Sequence, residues 1–375
     1  MPAVRYCNTC ILPDTRPGLK IGDDGICSAC RSHSVEARPI DWDARRAQFE
    51  SLVAEIRGRR SDWDCVIPVS GGKDSTWQVL TCLDHGLRPL CVTWRTPART
   101  ELGQRNLDNL ISLGVDHIDF TVNPGVERRF LLKTFEAVGT PAVPMHLAIF
   151  NIPTAVAVRY GIPLVVWGEN SAMEYVGGED ESLSFELTSE WVRKYGAVHG
   201  TSAEDWVGDG LDLRDLAPYR GPSDLELRER GVRAVFLGMY FEWDPQETFR
   251  VAADHGFEAG EKPRTGTWEY ADVDDDFISI HHWLKWHKFG FTRVWDNLSV
   301  DIRNGRLTRD EAIAVVRELG DQMPRDDIQA FCGYVGIGEG RFAEICEKFR
   351  NHDVWTERGG VWQIDDFLIP DWTWT

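Results

Sequence analysis

The sequence predicts an α/β protein with a doubly wound parallel sheet, preceded by a four-cysteine segment and followed by a helical C-terminal domain. Between about residues 65 and 239, apolar runs typical of strands alternate with helical patterns, and this rhythm predicts a parallel sheet with helices on both faces. Two C-x-x-C pairs come before that region, and from about Glu261 the pattern is helical alone. We therefore expect domains at residues 1–39, 40–260 and 261–375.

Composition excludes several classes of protein. With 375 residues, 42% of them hydrophobic, the chain can bury a large core. Its formal charge of −19, without a long Lys/Arg cluster, argues against nucleic acid as a partner. No run of eighteen apolar residues is present and no signal-peptide core follows Met1, so we expect no membrane span and a cytoplasmic location.

The N-terminal cysteines have the spacing of a structural zinc site. Cys7 and Cys10 form one pair, Cys27 and Cys30 form the other, and sixteen residues separate the pairs, as in two knuckles that close one tetrahedral site. Disulfides fit poorly with a cytoplasmic chain, and four thiolates leave no open position for catalysis. The sequence therefore predicts structural Zn²⁺ bound by these four residues.

The elements of the sheet domain follow from local signals. Asp41 can cap a first helix, whose apolar residues recur at helical spacing up to Ile56. Strands are predicted at Val66–Val69, Leu90–Trp94, His117–Val122, Pro163–Trp167 and Ala234–Met239. Helices are predicted at Asp74–Asp84, Glu101–Leu113, Gly125–Val138 and His146–Tyr160. Pro68 is expected at the end of its strand, and Pro153 is expected to kink or break its helix.

The hexapeptide Ser70-Gly71-Gly72-Lys73-Asp74-Ser75 lies between the first strand and the next helix. A strand that breaks at two glycines and re-enters a helix gathers backbone N–H groups and the positive end of a helix dipole around one point, which favours an anion. The spacing matches neither G-x-x-x-x-G-K-[ST] nor G-x-G-x-x-G. The motif resembles the pyrophosphate loop of the PP-loop ATP pyrophosphatases, which cleave ATP to AMP and pyrophosphate.

Functional groups are expected at the carboxyl ends of the strands, where parallel sheets bind ligands. Trp94 follows one strand, and Glu169-Asn170 follow another. We expect Glu169 and Asn170 to orient the substrate or the nucleophile, with Glu169 as the candidate proton-transfer group. A helix cap or a turn is the alternative reading of this pair.

The helical C-terminal domain carries one basic stripe and one acidic run. His281, Lys285 and Lys288 share a face of one predicted helix, either as an anion site or as a solvated surface. The run from Asp272 to Asp276 could hold a cation, although such runs are more often solvated surface or helix caps. Further helices are predicted at Arg309–Leu319, with Thr308 and Glu311 as a capping box, and at Asp326–Gly333 and Arg341–Arg350.

These motifs together resemble one family, the N-acetyl sugar amidotransferases of bacterial surface-polysaccharide and nonulosonic-acid pathways. The resemblance rests on Leu12-Pro13-Asp14-Thr15-Arg16-Pro17 beside the first cysteine pair, on Cys27-Ser28-Ala29-Cys30, and on the stretch Val66–Thr76. Later blocks that also look like the family are Thr100–Gly103, His146–Phe150, Trp167–Asn170 and Ile280–Trp286. The similarity runs over nearly the whole chain, and it implies the adenine nucleotide alpha-hydrolase-like version of the PP-loop fold.

The resemblance implies an AMP-forming carbon–nitrogen ligase of lipopolysaccharide or O-antigen biosynthesis. Such an enzyme adenylates the acetamido oxygen of an N-acetyl sugar and replaces that oxygen with ammonia, giving an acetamidino sugar. The expected ATP-binding residues are Ser70, Gly71, Gly72, Lys73, Asp74, Ser75, Thr93 and Trp94. The expected catalytic residues are Lys73, Asp74, Glu169 and Asn170, and Asp74 either caps its helix or holds Mg²⁺. The expected substrate-binding residues are His281, His282, Lys285 and Lys288.

The nitrogen source is expected to be external. No cysteine has the sharp-elbow context of a glutaminase nucleophile. The resemblance suggests ammonia from a glutaminase partner, with a channel-forming barrel subunit between the two, and an N-acetyl sugar that is free or nucleotide-linked. Two other functions stay open: a PP-loop tRNA thiolase, which would need a basic face and further cysteines, and a noncatalytic ATP-sensing module.

Overall fold

The computed structural model describes residues 4–34, 40–59, 61–176 and 184–374. Its main sheet is five-stranded, entirely parallel, and ordered β3-β2-β1-β4-β5. The strands are β1 (Cys65–Pro68), β2 (Pro89–Trp94), β3 (Asp116–Phe120), β4 (Leu164–Trp167) and β5 (Arg233–Phe236). From β1 the chain continues to β2 and β3 on one side of the sheet. It then returns to the other side of β1, where β4 and β5 follow, so the topological switch point lies between β1 and β4.

The helices cover both faces of the sheet and form the C-terminal region. Those up to the last strand of the sheet are α1 (Ser28–His33), α2 (Trp42–Arg57), α3 (Lys73–Asp84), α4 (Glu101–Ser112), α5 (Pro124–Val138), α6 (Ala142–Tyr160), α7 (Ser171–Tyr175), α8 (Ser189–Tyr195) and α9 (Asp224–Glu229). The later ones are α10 (Pro245–Asp254), α11 (Ile278–Phe289), α12 (Arg293–Arg303), α13 (Arg309–Leu319), α14 (Arg325–Val335) and α15 (Glu339–Lys348). The predicted fold class is confirmed.

Local signals set most of the element ends. The Asp41 side chain accepts the Ala44 N–H at the start of α2, and Thr308 and Glu311 form the predicted capping box of α13. Pro68 is the last residue of β1, as predicted, because a missing N–H is tolerated at a strand end. Of the two outcomes expected at Pro153, a kink or a break, the break does not occur, because α6 runs through this residue.

Helix α6 begins four residues before its predicted start and is a core helix. Most of it is buried, and it packs against β1 and β2. It is also the one helix, within the described ranges, that is long and apolar enough to cross a membrane. A buried core helix passes that test as readily as a spanning one, so the observation is weak evidence for a membrane.

A small hairpin departs from the all-helical C-terminal pattern. Strands β6 (Thr356–Arg358) and β7 (Val361–Gln363) pair antiparallel across Gly359 and Gly360. Both glycines have positive φ, 63° and 83°, which is what a two-residue hairpin turn of the right twist needs. A Gly-Gly pair at this place in the sequence therefore indicates a β-hairpin.

The four-cysteine segment packs on the C-terminal helices rather than standing apart. Its buried residues, including Ile11 and Leu12, share one apolar cluster with Trp286, Phe291 and Trp295. A separate, larger cluster surrounds the sheet. The domain boundaries stay predictions, and residues 35–39, at the first of them, lie outside the described residues.

The close approach of α4 to the acidic run yields a stability prediction. A Cβ at Gly103 would lie 2.5 Å from the Asp274 Cα, so Gly103→Ala should lower the free energy of unfolding by about 1–3 kcal/mol through overpacking. Gly333→Ala is the matched control, because Gly333 lies inside α14 with nothing within 4 Å of the added Cβ. The control should gain up to about 1 kcal/mol of helix propensity. Thermal unfolding of both variants checks this, and equal stabilisation would contradict the packing described.

Candidate active site

The loop after β1 forms an open helix N-terminus at the switch point of the sheet. Gly71 has φ +89°, and a Cβ there would lie 2.6 Å from the Leu107 backbone nitrogen, so only glycine fits. Gly72 is the N-cap of α3 and makes no side-chain cap hydrogen bond. The Ser70 Oγ accepts the Gly72 N–H at 3.3 Å, and the Ser75 Oγ donates to the Gly72 carbonyl at 2.9 Å. The first-turn amides of α3 are thus directed at a site suited to an anion.

Lys73 and Asp74 form a fixed ion pair at this helix start. Lys73 is buried, and its Nζ lies 2.6 and 2.7 Å from the two Asp74 carboxylate oxygens. The Trp243 indole N–H and the Thr248 hydroxyl also donate to Asp74 Oδ1, at 2.9 and 3.1 Å. Oδ1 therefore has three donors, whereas Oδ2 has the lysine alone among the described residues. No sequence motif pointed to Trp243 or Thr248, because they lie about 170 residues further along the chain.

A cavity of about 530 Å³ opens from this loop along the carboxyl ends of the strands. It brings together the expected site residues Ser70, Asp74, Ser75, Thr93, Trp94, Glu169, His281, His282 and Lys285. One wall is apolar and includes Val92, Trp94, Met145 and Phe150, which is suitable for a planar base. The Thr93 hydroxyl donates to the Val69 carbonyl at 2.7 Å, so it is already used within the sheet.

Glu169 and Asn170, which follow β4, have different roles in the structure. Glu169 lines the cavity, and burial together with the nearby Asp74 carboxylate raises the pKa of Glu169 to about 7. Asn170 is buried and caps α7, its Oδ1 accepting the Ala172 and Met173 N–H groups. The helix-cap alternative thus accounts for Asn170, whereas Glu169 faces the site.

The acidic run lies over the loop and is not a solvated surface. Asp272, Asp274 and Asp275 all line the main cavity. Burial, together with the neighbouring carboxylates of Asp275 and Asp272, raises the pKa of Asp274 to about 7, against a hydrogen bond with Ser70 that lowers it. Burial likewise raises the pKa of Asp275 to about 6, although Thr96 donates to it at 2.8 Å. Carboxylates therefore face the anion site from across the cavity.

The basic face of α11 lines a second cavity of about 800 Å³, which adjoins the first. His281 and Lys285 belong to both cavities, and Lys288 belongs to the second, so the solvated-surface alternative is wrong. The positively charged or imidazole side chains of the second cavity are Arg16, Lys20, Arg193, Lys194, His199, His281, Lys285 and Lys288. No carboxylate is among its described lining residues, which is notable in a chain of charge −19.

The α11 side chains are held by specific partners. Lys285 Nζ lies 2.9 Å from Asp296 Oδ2, and Lys288 Nζ donates to the Val138 carbonyl at 2.5 Å. His281 Nδ1 lies 2.8 Å from the Thr140 hydroxyl. Burial lowers the pKa of Lys288 to about 8, and it lowers that of His281 well below the usual range, with help from His282 and Lys285. His281 is therefore neutral near pH 7.

The four predicted cysteines converge on one point with the dimensions of a tetrahedral metal site. Their Sγ atoms all lie within 4.8 Å of one another, and Cys10 Sγ is 3.7 Å from Cys27 Sγ. Four thiolates about 2.3 Å from one zinc ion would be about 3.8 Å apart, so the cluster fits that ion. The Cys27 N–H points to Cys7 Sγ at 3.2 Å and the Cys30 N–H to Cys27 Sγ at 3.4 Å. None of the four lines either cavity, which favours a structural role.

Comparison with known families supports the resemblance seen in the sequence. Residues 265–367 match the family model described as "LPS biosynthesis protein WbpG-like, C-terminal domain". This match confirms the family resemblance over the region that carries α11 and α12. No curated protein sequence matches the chain significantly.

Three of the similar solved structures are matched at low identity. NMN synthetase from Francisella tularensis is 14% identical, with a TM-score of 0.26, over 60% of this chain and 99% of its own. NAD+ synthetase from Burkholderia pseudomallei is 16% identical, with a TM-score of 0.26, over 61% and 91%. A predicted subunit of tRNA methyltransferase from Methanocaldococcus jannaschii is 14% identical, with a TM-score of 0.27, over 50% and 75%. At these scores the matches bear on neither reaction nor substrate.

A buried acid beneath the apolar wall yields a pH prediction. Glu127 is 3% exposed and accepts the Trp94 indole N–H at 3.1 Å. Burial raises the pKa of Glu127 from 4.5 to about 7, with a smaller upward contribution from Asp275. A raised folded-state pKa gives stability that is present below the unfolded pKa and is lost as pH rises through the folded pKa.

Glu127→Gln should therefore gain stability relative to the wild type as pH rises. The gain should reach about 3 kcal/mol between about pH 5 and about pH 8, because the neutral amide cannot ionise. Urea unfolding at several pH values measures it, with the exposed Glu318→Gln as a control for the loss of one negative charge. Parallel stability curves for Glu127→Gln and the wild type would contradict the raised pKa.

Proposed function

We propose that this protein is an ATP-dependent amidotransferase that converts the acetamido group of an N-acetyl sugar into an acetamidino group, releasing AMP and pyrophosphate. The observation that carries the proposal is the Ser70–Ser75 loop, which opens the N-terminus of α3 at the switch point of the sheet and faces a cavity large enough for a nucleotide. The lipopolysaccharide-biosynthesis family match of residues 265–367 supports a sugar as the second substrate.

ATP would lie along the main cavity with its triphosphate at the loop. The β and γ phosphates would accept from the first-turn amides of α3, and from the Ser70 and Ser75 hydroxyls once these turn away from Asp274 and the Gly72 carbonyl, while adenine would pack against the wall at Trp94. Mg²⁺ would offset the charge of the phosphates, and Asp74 Oδ2 is the carboxylate oxygen that would hold it. Lys73 would hold Asp74 in place and add positive charge beneath the loop.

The sugar would occupy the second cavity, and its anionic group would face α11. Lys285 and Lys288, with Arg16 and Lys20 of the N-terminal segment, would provide a cationic environment for a carboxylate or a nucleotide diphosphate, and the neutral His281 would add a hydrogen-bonding group. Because His281 and Lys285 also line the ATP cavity, a sugar bound there could bring its acetamido group to the α-phosphate. His282, the other expected substrate-binding residue, would contact the sugar from the main cavity, where its Nε2 is 3.5 Å from Asp272 Oδ2.

The reaction would use two substitutions. First, the acetamido oxygen attacks the α-phosphorus, an O–P bond forms, and pyrophosphate leaves with the electron pair of the broken P–O bond. Ammonia then attacks the imidate carbon, a C–N bond forms, and AMP leaves with the former acetamido oxygen. One proton is lost from the attacking nitrogen, and Glu169, whose pKa is about 7, is the group proposed to accept it. Asn170 would orient Glu169 by capping the adjacent helix.

The ammonia would come from a separate glutaminase, with a channel-forming barrel subunit as a further proposed partner. A glutaminase site commonly needs a cysteine nucleophile. All nine cysteines are buried, and none is among the described residues that line either cavity. The same observation counts against a thiolase that carries sulfur on a catalytic cysteine. We place the reaction in the cytoplasm, where ATP is available.

The four-cysteine cluster would bind structural Zn²⁺ and fix the N-terminal segment against the C-terminal helices. Arg309 of α13 donates its Nε–H to the carbonyls of Cys7 and Cys10, at 3.2 and 3.0 Å. The Thr15 hydroxyl donates to the Phe289 carbonyl at the end of α11, at 2.6 Å. The metal would thereby stabilise the helix that carries the basic face.

The proposed reaction is tested with the full chain, ATP, Mg²⁺, an ammonium salt and a panel of N-acetyl sugars, both free and nucleotide-linked. We expect AMP and pyrophosphate, together with a product one mass unit lighter because NH replaces O. Glutamine should not replace ammonium. Asp74→Ala should lower the rate at least about 100-fold, because the metal-binding carboxylate is lost. Asp84→Ala, at the exposed far end of α3, is the matched control.

The outcomes separate the proposed reaction from its rivals. ADP with inorganic phosphate as products would refute the pyrophosphate assignment. Nucleotide binding without turnover across the panel would favour the sensing module. Tight, steeply salt-dependent binding of tRNA would favour the thiolase.

The metal assignment has its own test. The purified chain should contain one zinc ion, and Cys27→Ser should lose it and lower the unfolding temperature, because metal binding energy is folding energy for such a segment. Cys332→Ser, which changes a buried thiol outside the cluster, should keep its zinc. Elemental analysis and thermal unfolding measure both effects, and a zinc-free wild type as stable as the zinc-loaded one would exclude the structural role.

A further inference from the structure

Arg293 lies where the phosphate loop meets the main cavity. It is the first residue of α12 and lines both the main cavity and a smaller pocket of about 230 Å³ at the loop, next to Ser70 and Gly72. Among the described residues, no other Lys or Arg lines both spaces. Its guanidinium therefore lies between the place proposed for the β and γ phosphates and the place proposed for the reacting groups.

The Arg293 guanidinium donates no hydrogen bond within the described part of the chain. No side chain or backbone carbonyl in the described ranges accepts a hydrogen bond from it, and its Nε is buried without a partner. The nearest carboxylate oxygen, Oδ2 of Asp272, is 4.0 Å from that Nε, beyond hydrogen-bond distance. The other arginine of the main cavity, Arg99, differs: it donates twice to Asp119 at 2.8 Å. A partly buried guanidinium with open donors is suited to a bidentate anion.

The position of Arg293 is nevertheless fixed. Its guanidinium carbon lies 5.5 Å from the centroid of the Tyr175 ring, and the Thr292 side chain caps α12 immediately before it. Asp272, Asp296 and Glu169 supply negative charge around it. Lys285 and His282 face it as well, and each has its own carboxylate partner, Asp296 and Asp272 respectively.

We infer that Arg293 is a catalytic residue that binds the triphosphate of ATP in the adenylation step, with its guanidinium contacting oxygens of the α- and β-phosphates. This inference rests on the proposed function. As the acetamido oxygen bonds to the α-phosphorus and the α–β bridging P–O bond breaks, negative charge builds on the bridging oxygen and leaves with pyrophosphate. A fixed guanidinium stabilises that charge without reorganisation, as arginine clamps do in phosphoryl transfer.

The rival explanation is that Arg293 only balances the charge of Asp272 and packs on Tyr175. The 4.0 Å distance to Asp272 and the contact with the Tyr175 ring are consistent with such a role, but neither uses the five N–H donors of the guanidinium. The two explanations differ in what happens to phosphate binding, so they can be separated without knowing the sugar.

The test is calorimetric binding of Mg²⁺-ATP, Mg²⁺-pyrophosphate and adenosine to the full chain and its variants. Arg293→Gln should weaken ATP and pyrophosphate binding by about 10- to 100-fold, the value of a charge-assisted hydrogen bond, and leave adenosine binding unchanged. Arg293→Lys keeps the positive charge but lacks the bidentate N–H donors of a guanidinium, so its affinities for ATP and pyrophosphate should lie between those of the wild type and Arg293→Gln. Arg306→Gln is the matched control, because Arg306 is bound to Asp244 and Asp301 and lines neither cavity.

Each outcome decides between the explanations. Unchanged ATP and pyrophosphate binding in both folded Arg293 variants would overturn the inference, as would an equal loss in Arg306→Gln. If Arg293→Gln does not fold, the lysine variant alone decides, since it preserves the charge balance with Asp272. Absence of Mg²⁺-ATP binding by the wild type would refute the proposed function itself, which is a different failure.

Discussion

The ion pairs of the buried Asp296 carboxylate connect the N-terminal segment to the C-terminal helices, and the rest of the architecture depends on them. Asp296 belongs to α12 and is fully buried. Its carboxylate accepts hydrogen bonds from Arg16 of the N-terminal segment at 3.0 Å and from Lys285 of α11 at 2.9 Å. Burial alone would raise the pKa of Asp296, but Lys285, Arg16 and Arg293 together lower it well below the usual range. Loss of this one group would leave buried cations uncompensated, which typically costs about 3–5 kcal/mol.

The sheet positions the residues on only one side of the candidate site. Its switch point positions the Ser70–Ser75 loop and Glu169, as parallel sheets generally do. The acidic run and α11 come from beyond the sheet and close the cavity from the other side, and Arg293 of α12 reaches it as well. The Asp296 ion pairs link α11 and α12 to Arg16 of the N-terminal segment, so the geometry of the candidate site depends on a buried carboxylate that itself lines neither cavity.

Sequence was informative where the signal is local. The strand–loop–helix around Ser70–Ser75, the cysteine spacing and the Thr308–Glu311 capping box each lie within a few tens of residues, and the sequence predicts each of them correctly. Trp243 and Thr248, which hold Asp74, could not be found, because about 170 residues separate them from it. Asn170 shows the reverse: its residue type suggested chemistry, whereas its side-chain oxygen accepts the hydrogen bonds of a helix cap.

The distribution of charge between the two cavities explains how two anionic substrates could be told apart. The main cavity has carboxylates at Asp74, Glu169 and Asp274 as well as the cations Lys285 and Arg293, so a triphosphate bound there, as proposed, would need Mg²⁺ to offset the carboxylate charge. The second cavity has lysines and arginines and no carboxylate among its described lining residues, so an anionic sugar would need no metal. On the proposed function, a free sugar anion is thus disfavoured at the loop. On the proposed reaction, this separation would orient each substrate before the acetamido oxygen meets the α-phosphorus at the shared wall of His281 and Lys285.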